Sequence, residues 1–147
     1  MKITKHQIHE IAEYLEIGQT VYVNKDTGEY IPIVENDDFI DYMGDEEENP
    51  WAEDQRTVES WENYFSIGKM PSHEGFKIME AFASVVDDAL RVKIGNALTR
   101  RKPFAHFKDL VESSDYRQQW FDFRQRKYKE YVIDELEAND MKIEKEV

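Results

Sequence analysis

Apolar residues recur at helical spacing in five stretches of the chain. The first stretch follows Thr4, a residue that caps helices well, and its apolar face consists of Ile8, Ile11, Ala12 and Leu15. The other four lie in the second half of the sequence. They begin at Ser72, after a break at Asp87-Asp88, at Pro103 and at Asp115. The last stretch predicts a long helix that extends to about Glu137.

Two short β-rich runs flank a polar turn near the N-terminus. Residues 20–23 and 29–33 carry β-branched and aromatic side chains, and the turn between them ends at Gly28, so they predict a hairpin. Pro32 has no N–H to donate, which predicts that the second strand lies at an edge or ends there. Residues 60–67 alternate in part and predict a third strand. The fold class is therefore α+β and mostly helical, with an N-terminal helix, a small antiparallel sheet and a C-terminal helical bundle.

An acidic connector separates the hairpin from the rest. Residues 35–55 include the run Asp45-Glu46-Glu47-Glu48, whose mutual repulsion predicts a loop or disorder, with residues 44–55 the most mobile. The length of 147 residues is typical of one domain, so we expect a single domain over residues 1–147.

Charge is distributed unevenly along the sequence. The net charge is −13, and residues 35–62 hold 12 Asp/Glu against one Arg. Residues 91–129 form a basic segment, with 11 Lys/Arg against four Asp/Glu. The overall acidity disfavours non-specific nucleic-acid binding, whereas the basic segment keeps that alternative open.

Most catalytic and metal-binding patterns are absent from the sequence. There are no cysteines, the six glycines form no phosphate-binding loop, and no G-x-S-x-G occurs. His6 and His9 lie three residues apart on the first helix, a spacing at which two histidines can share a metal. Without a second cluster of ligands, a solvated helix face is the preferred interpretation. We predict no metal and no cofactor, and the sequence gives no positive indication of an enzyme.

Targeting signals are absent as well. No apolar run follows the N-terminal lysines, and no stretch approaches the length of a membrane span, so we expect neither a signal peptide nor membrane association. Together with the absence of cysteine, this pattern favours the cytoplasm.

The last predicted helix carries arginines among aromatic residues. At 100° per residue, Arg117 and Arg124 lie between two aromatic flanks, one of which contains Trp120. A buried guanidinium without a partner is costly, so Arg124 is expected to pair with a carboxylate from the protein or from a ligand. Asp109 and the acidic residues of 59–62 are the nearest internal candidates. The candidate binding residues are Arg117, Arg124, Trp120, Lys108 and Asp109.

Two segments in the second half resemble a bacterial family. Arg100-Arg101-Lys102-Pro103-Phe104-Ala105-His106-Phe107-Lys108-Asp109 and, downstream, Trp120-Phe121-Asp122-Phe123-Arg124-Gln125-Arg126 are similar to the "FxxFKD" and "WfxFRxxR" segments of uncharacterised protein family 158. The helix through Met79 and Phe82 is similar too, and the opening helix and hairpin match more loosely, whereas the acidic connector does not match. Pro103 stands where the family more often has a small residue or glycine. The resemblance implies a bacterial cytoplasmic protein and supplies no catalytic residue.

These observations leave three functional hypotheses. The preferred one is a non-catalytic binding or regulatory module whose basic segment takes another protein or a carboxylate-bearing ligand. The alternatives are a nucleic-acid-associated protein that uses residues 91–129 and an enzyme of unrecognised class. In the preferred interpretation of the last helix, Phe104 and Phe107 dock their helix onto Trp120 and Phe123.

Overall fold

A computed structural model of the chain describes residues 2–34 and 52–144. Its elements, in order, are α1 (Lys5–Glu16), β1 (Thr20–Asn24), β2 (Tyr30–Ile33), α2 (Ala52–Ser60), β3 (Tyr64–Ile67), α3 (Ser72–Ala83), α4 (Asp88–Leu98), α5 (Pro103–Glu112) and α6 (Arg117–Ala138). This confirms the predicted α+β class. Within the described ranges, none of the helices combines the length and apolar content that crossing a bilayer requires.

The chain divides into two compact units. The first unit contains residues 1–69 and 128–147, and the second contains residues 70–127. The single domain expected from the length stays a prediction.

The first unit is built around a three-stranded antiparallel sheet with the order β2-β1-β3. Pro32 pairs with Val21 on the edge strand β2, so its missing N–H leaves no gap inside the sheet. Val21 and Val23 are fully buried on one face, against residues of α1 and the C-terminal part of α6. Ile33 pairs with Thr20 and therefore lies on the opposite face. The helix α2 contacts β2 and contributes one buried residue, Val58.

Both ends of the described chain contribute to the first unit. Thr4 begins α1 with a capping box, in which its hydroxyl accepts from the Gln7 N–H and the Gln7 side chain accepts from the Thr4 N–H. Ile3 forms a parallel bridge with Ile143 and is almost completely buried. The predicted apolar face of this helix is confirmed, since all four of its residues are buried.

The second unit contains α3, α4, α5 and the N-terminal part of α6 around an aromatic core. The rings of Phe82, Phe107 and Trp120 contact one another, with centroids 4.7 to 6.4 Å apart, and Phe123 packs beside Phe82 and Trp120. Edge-to-face contacts of this kind add to the free energy of burial. Pro103 occupies the first helical position of α5, as predicted.

Several sequence predictions are corrected. Pro71, not Ser72, occupies the N-cap of α3, and α6 begins at Arg117, so Asp115 lies outside its N-cap position. Residues 52–55, expected in a loop, open α2, whereas the rest of the acidic connector lies outside the described residues. Phe104 is 45% exposed, so Phe107 alone of the expected pair reaches the aromatic core.

Candidate functional site

A groove of about 430 Å³ lies along α4 and α5 in the second unit. Its lining side chains come from both helices and the turn after α4: Lys93, Asn96, Ala97, Arg100, His106, Asp109 and Leu110. Counted from Lys93, the other α4 residues and Arg100 lie three, four and seven residues on, and Asp109 and Leu110 lie three and four residues after His106, so each set lies on one helical face. One face of each helix therefore lines the groove.

Charge in this groove is mainly positive. Lys93 and Arg100 are exposed cations, and Asp109 is the one carboxylate among its lining residues. Ala97 is buried and Leu110 half-buried, so they supply an apolar floor beneath the charges. A groove with an apolar floor and cationic walls can bury aliphatic atoms while it pairs with carboxylates.

A second cavity, of about 290 Å³, continues along the same pair of helices and shares Lys93 with the groove. Asp87, the N-cap of α4, and Asp115, which follows α5, supply its carboxylates. Ser113 and Ser114 also line it, but both hydroxyls donate to backbone carbonyls of the helix before them. The second cavity is therefore acidic where the groove is basic.

The structure separates the residues that the sequence predicted as a binding set. Asp109 lines the groove, and Lys108 is an exposed neighbour on α5. Trp120 is 7% exposed inside the aromatic core, and Arg117 is exposed with its guanidinium 5.3 Å from the Phe121 ring centroid. Arg124 is half-buried on α6. The roles of all five in binding stay predictions.

Sequence reasoning missed Lys93 and Arg100 as groove residues. Their spacing from Ala97 was visible, but the sequence did not reveal that α4 pairs with α5. His106 is half-buried where it meets the groove.

A polar cluster in the first unit joins α1 to β2. The Tyr14 hydroxyl donates to Glu10 Oε1 at 3.3 Å, and His6 Nε2 lies 3.7 Å from Glu10 Oε2. Burial, then the hydrogen bond to Glu10 and its negative charge, raises the pKa of Tyr30 to about 12. The same causes, burial first, raise the pKa of Tyr14 above its usual value. These hydroxyls keep their protons at neutral pH and act as hydrogen-bond donors.

The paired histidines of α1 are engaged with carboxylates one turn away. His9 Nε2 lies 2.7 Å from Glu13 Oε1, and His6 Nε2 lies 3.7 Å from Glu10 Oε2. Within the two described ranges, no three His, Asp or Glu side chains come together as a set that could hold a metal ion.

Residues 37–146 match the family described as Uncharacterised protein family (UPF0158). The chain belongs to this family. The matched region includes residues 37–55 of the acidic connector, which the sequence resemblance left out. It begins after α1 and the hairpin, although the resemblance included both. The whole second unit, with its groove, lies within the UPF0158 region. No curated protein and no solved structure matches the chain.

Proposed function

We propose that this UPF0158 protein is a non-catalytic binding module of the bacterial cytoplasm, and that its groove takes a carboxylate-bearing segment of another protein. The observation that carries the proposal is the placement of Lys93 and Arg100 above an apolar floor in an open groove. Charge-assisted hydrogen bonds from such cations to carboxylates are stronger than neutral ones, and an arginine can make two of them to one carboxylate.

The distribution of charge supports the same partner. The second unit holds 11 Lys/Arg against eight Asp/Glu, whereas the first holds eight against 24. An acidic segment is therefore repelled by most of this protein and attracted by the second unit, which favours approach to the groove.

A titration with a fluorescently labelled glutamate-rich peptide tests the proposal by fluorescence anisotropy. We expect Arg100→Ala to weaken binding at least about tenfold, or about 1.4 kcal/mol, because a hydrogen bond to a charged group contributes roughly this much or more. Arg101→Ala is the matched control, because Arg101 is an exposed neighbour that does not line the groove. Equal weakening by both variants, or binding that neither variant changes, would contradict the proposed site.

Nucleic-acid binding is the second candidate, and α6 supplies the observation that favours it. The Arg117 guanidinium lies 5.3 Å from the Phe121 ring centroid, and the Arg126 guanidinium lies 5.2 Å from that of Phe123. Half-exposed rings beside cations can stack bases. A labelled single-stranded oligonucleotide in the same assay separates the candidates, because Arg117→Ala would then weaken binding more than Arg100→Ala does.

A further inference from the structure

The groove and the second cavity form one seam with opposite charges at its two ends. Lys93, near the middle of α4, lines both cavities. On one side of it the seam ends at Arg100 and His106, and on the other at Asp87 and Asp115. A surface with this gradient is matched by a partner surface whose gradient runs the opposite way.

The chain itself carries such a surface. If two copies face each other about a two-fold axis near the middle of α4, the Arg100 end of each seam meets the Asp115 end of the other. We propose, on the basis of the proposed function, that the carboxylate-bearing partner of the groove is a second copy of this chain, docked through the α4–α5 seam. The carboxylates that reach Arg100 are then those at the acidic end of the partner's seam.

The distribution of charge also favours this occupant. The net charge of −13 makes two chains repel each other over most of their surface, but the second unit carries a net charge of only +3. The seam therefore lies in the unit through which two copies approach with least repulsion.

Sedimentation velocity of the full chain at low salt tests the proposal with two charge reversals. Arg100→Glu places like charges at both ends of the interface, and so does Asp115→Arg, so each variant alone is expected to dimerise at least tenfold more weakly than the wild type. An equimolar mixture of the two variants restores opposite charges at both ends. We expect the mixture to regain the wild-type dimer affinity.

Lys77→Glu is the control for net charge, because it makes the same charge change as Arg100→Glu on α3, away from both cavities. Thermal melts establish that each variant is folded. A wild type that stays monomeric, single variants that dimerise like the wild type, or a mixture that stays monomeric would each overturn the second copy as partner. If any of these results were obtained but the glutamate-rich peptide still bound through Arg100, the proposed function would stand and only the second copy as partner would be excluded.

Discussion

Trp120 contacts three other rings of the aromatic core, those of Phe82, Phe107 and Phe123. Its centroid lies 4.7 Å from that of Phe107 and 5.2 Å from that of Phe82, and it is 7% exposed. We expect Trp120→Ala to lower the free energy of unfolding by about 3–5 kcal/mol, because the cavity adds to the lost burial. Urea unfolding measures the loss. Phe104→Ala, at a 45% exposed ring, should lower it by about 1 kcal/mol or less.

Arg124 lies one turn after Trp120 on α6 and is half-buried. If it pairs with an internal carboxylate, Arg124→Leu should lower the free energy of unfolding by about 1.5–3 kcal/mol, the range for hydrogen bonds to charged groups. Arg126→Leu, at an exposed position two residues on, is the matched control. A thermal melt decides between the two roles: an unchanged or raised melting temperature for Arg124→Leu would point to a ligand instead.

Tyr30 makes the stability of the first unit depend on alkaline pH. An unfolded tyrosine loses its proton near pH 10, whereas the folded Tyr30 has a pKa of about 12. Between these values the unfolded state binds fewer protons, so stability is present below pH 10 and falls as the pH rises to 12. Tyr30→Phe should reduce the fall in melting temperature across this window. Tyr64→Phe, the same change at an exposed site, should not.

At the scale of elements, the capping box of Thr4 fixes where α1 begins. Thr4→Ala removes one side-chain acceptor and should lower the free energy of unfolding by about 1 kcal/mol. Thr57→Ala is the matched control, because the Thr57 hydroxyl only bonds back to the Glu53 carbonyl within α2. Urea unfolding should show a loss for Thr4→Ala and little change for Thr57→Ala. Equal losses of stability in both variants would show that the effect comes from replacing a threonine by alanine and not from the helix cap.

The elements that could be predicted from the sequence are those that local chemistry determines. Thr4, Gly28 and Pro103 each suit a single local conformation, a helix cap, a tight turn and a first helical position, and the structure has them there. Gly28 has a backbone φ of 79°, a value that residues other than glycine rarely adopt.

The errors arose where two local signals competed. Pro71 has an extended backbone and takes the N-cap position, which moves Ser72 into the first turn of α3. Before α6, the Ser114 hydroxyl accepts the Tyr116 N–H, and the helix starts beyond Asp115. Residues 52–55 have the composition of an acidic loop, but Glu53 and Asp54 lie in the first turn of α2, where their negative charges interact favourably with the helix dipole.

The site was less predictable than the fold for a similar reason. Asp109 was identified as a candidate partner of Arg124, and in the structure it lines the groove. Lys93 and Arg100 line the groove only because α4 packs beside α5, and sequence spacing does not specify which helices pack together.

At the scale of the whole molecule, electrostatic repulsion opposes folding. The first unit has a net charge of −16, and the +3 of the second unit reduces this to −13 for the whole chain. We expect the melting temperature at pH 7 to rise from low salt to about 0.3 M and then to level off, since charges beyond a Debye length are screened by then. Near the isoelectric point of about 4.7 the rise should vanish. A rise that continued linearly at high salt would indicate solvent exclusion instead.

The first unit is discontinuous in sequence, and this affects the order of folding during synthesis. Residues 1–69 leave the ribosome first, but their core also needs Val132, Leu136 and Met141, and the Ile3–Ile143 bridge needs residue 143. The second unit is contiguous, so all of its residues are available once residue 127 has emerged. Domains usually become complete in the order in which they are translated. In this chain the unit that starts first is completed last, and α1 covers only part of the apolar face of its sheet until the residues from 128 onward have been made.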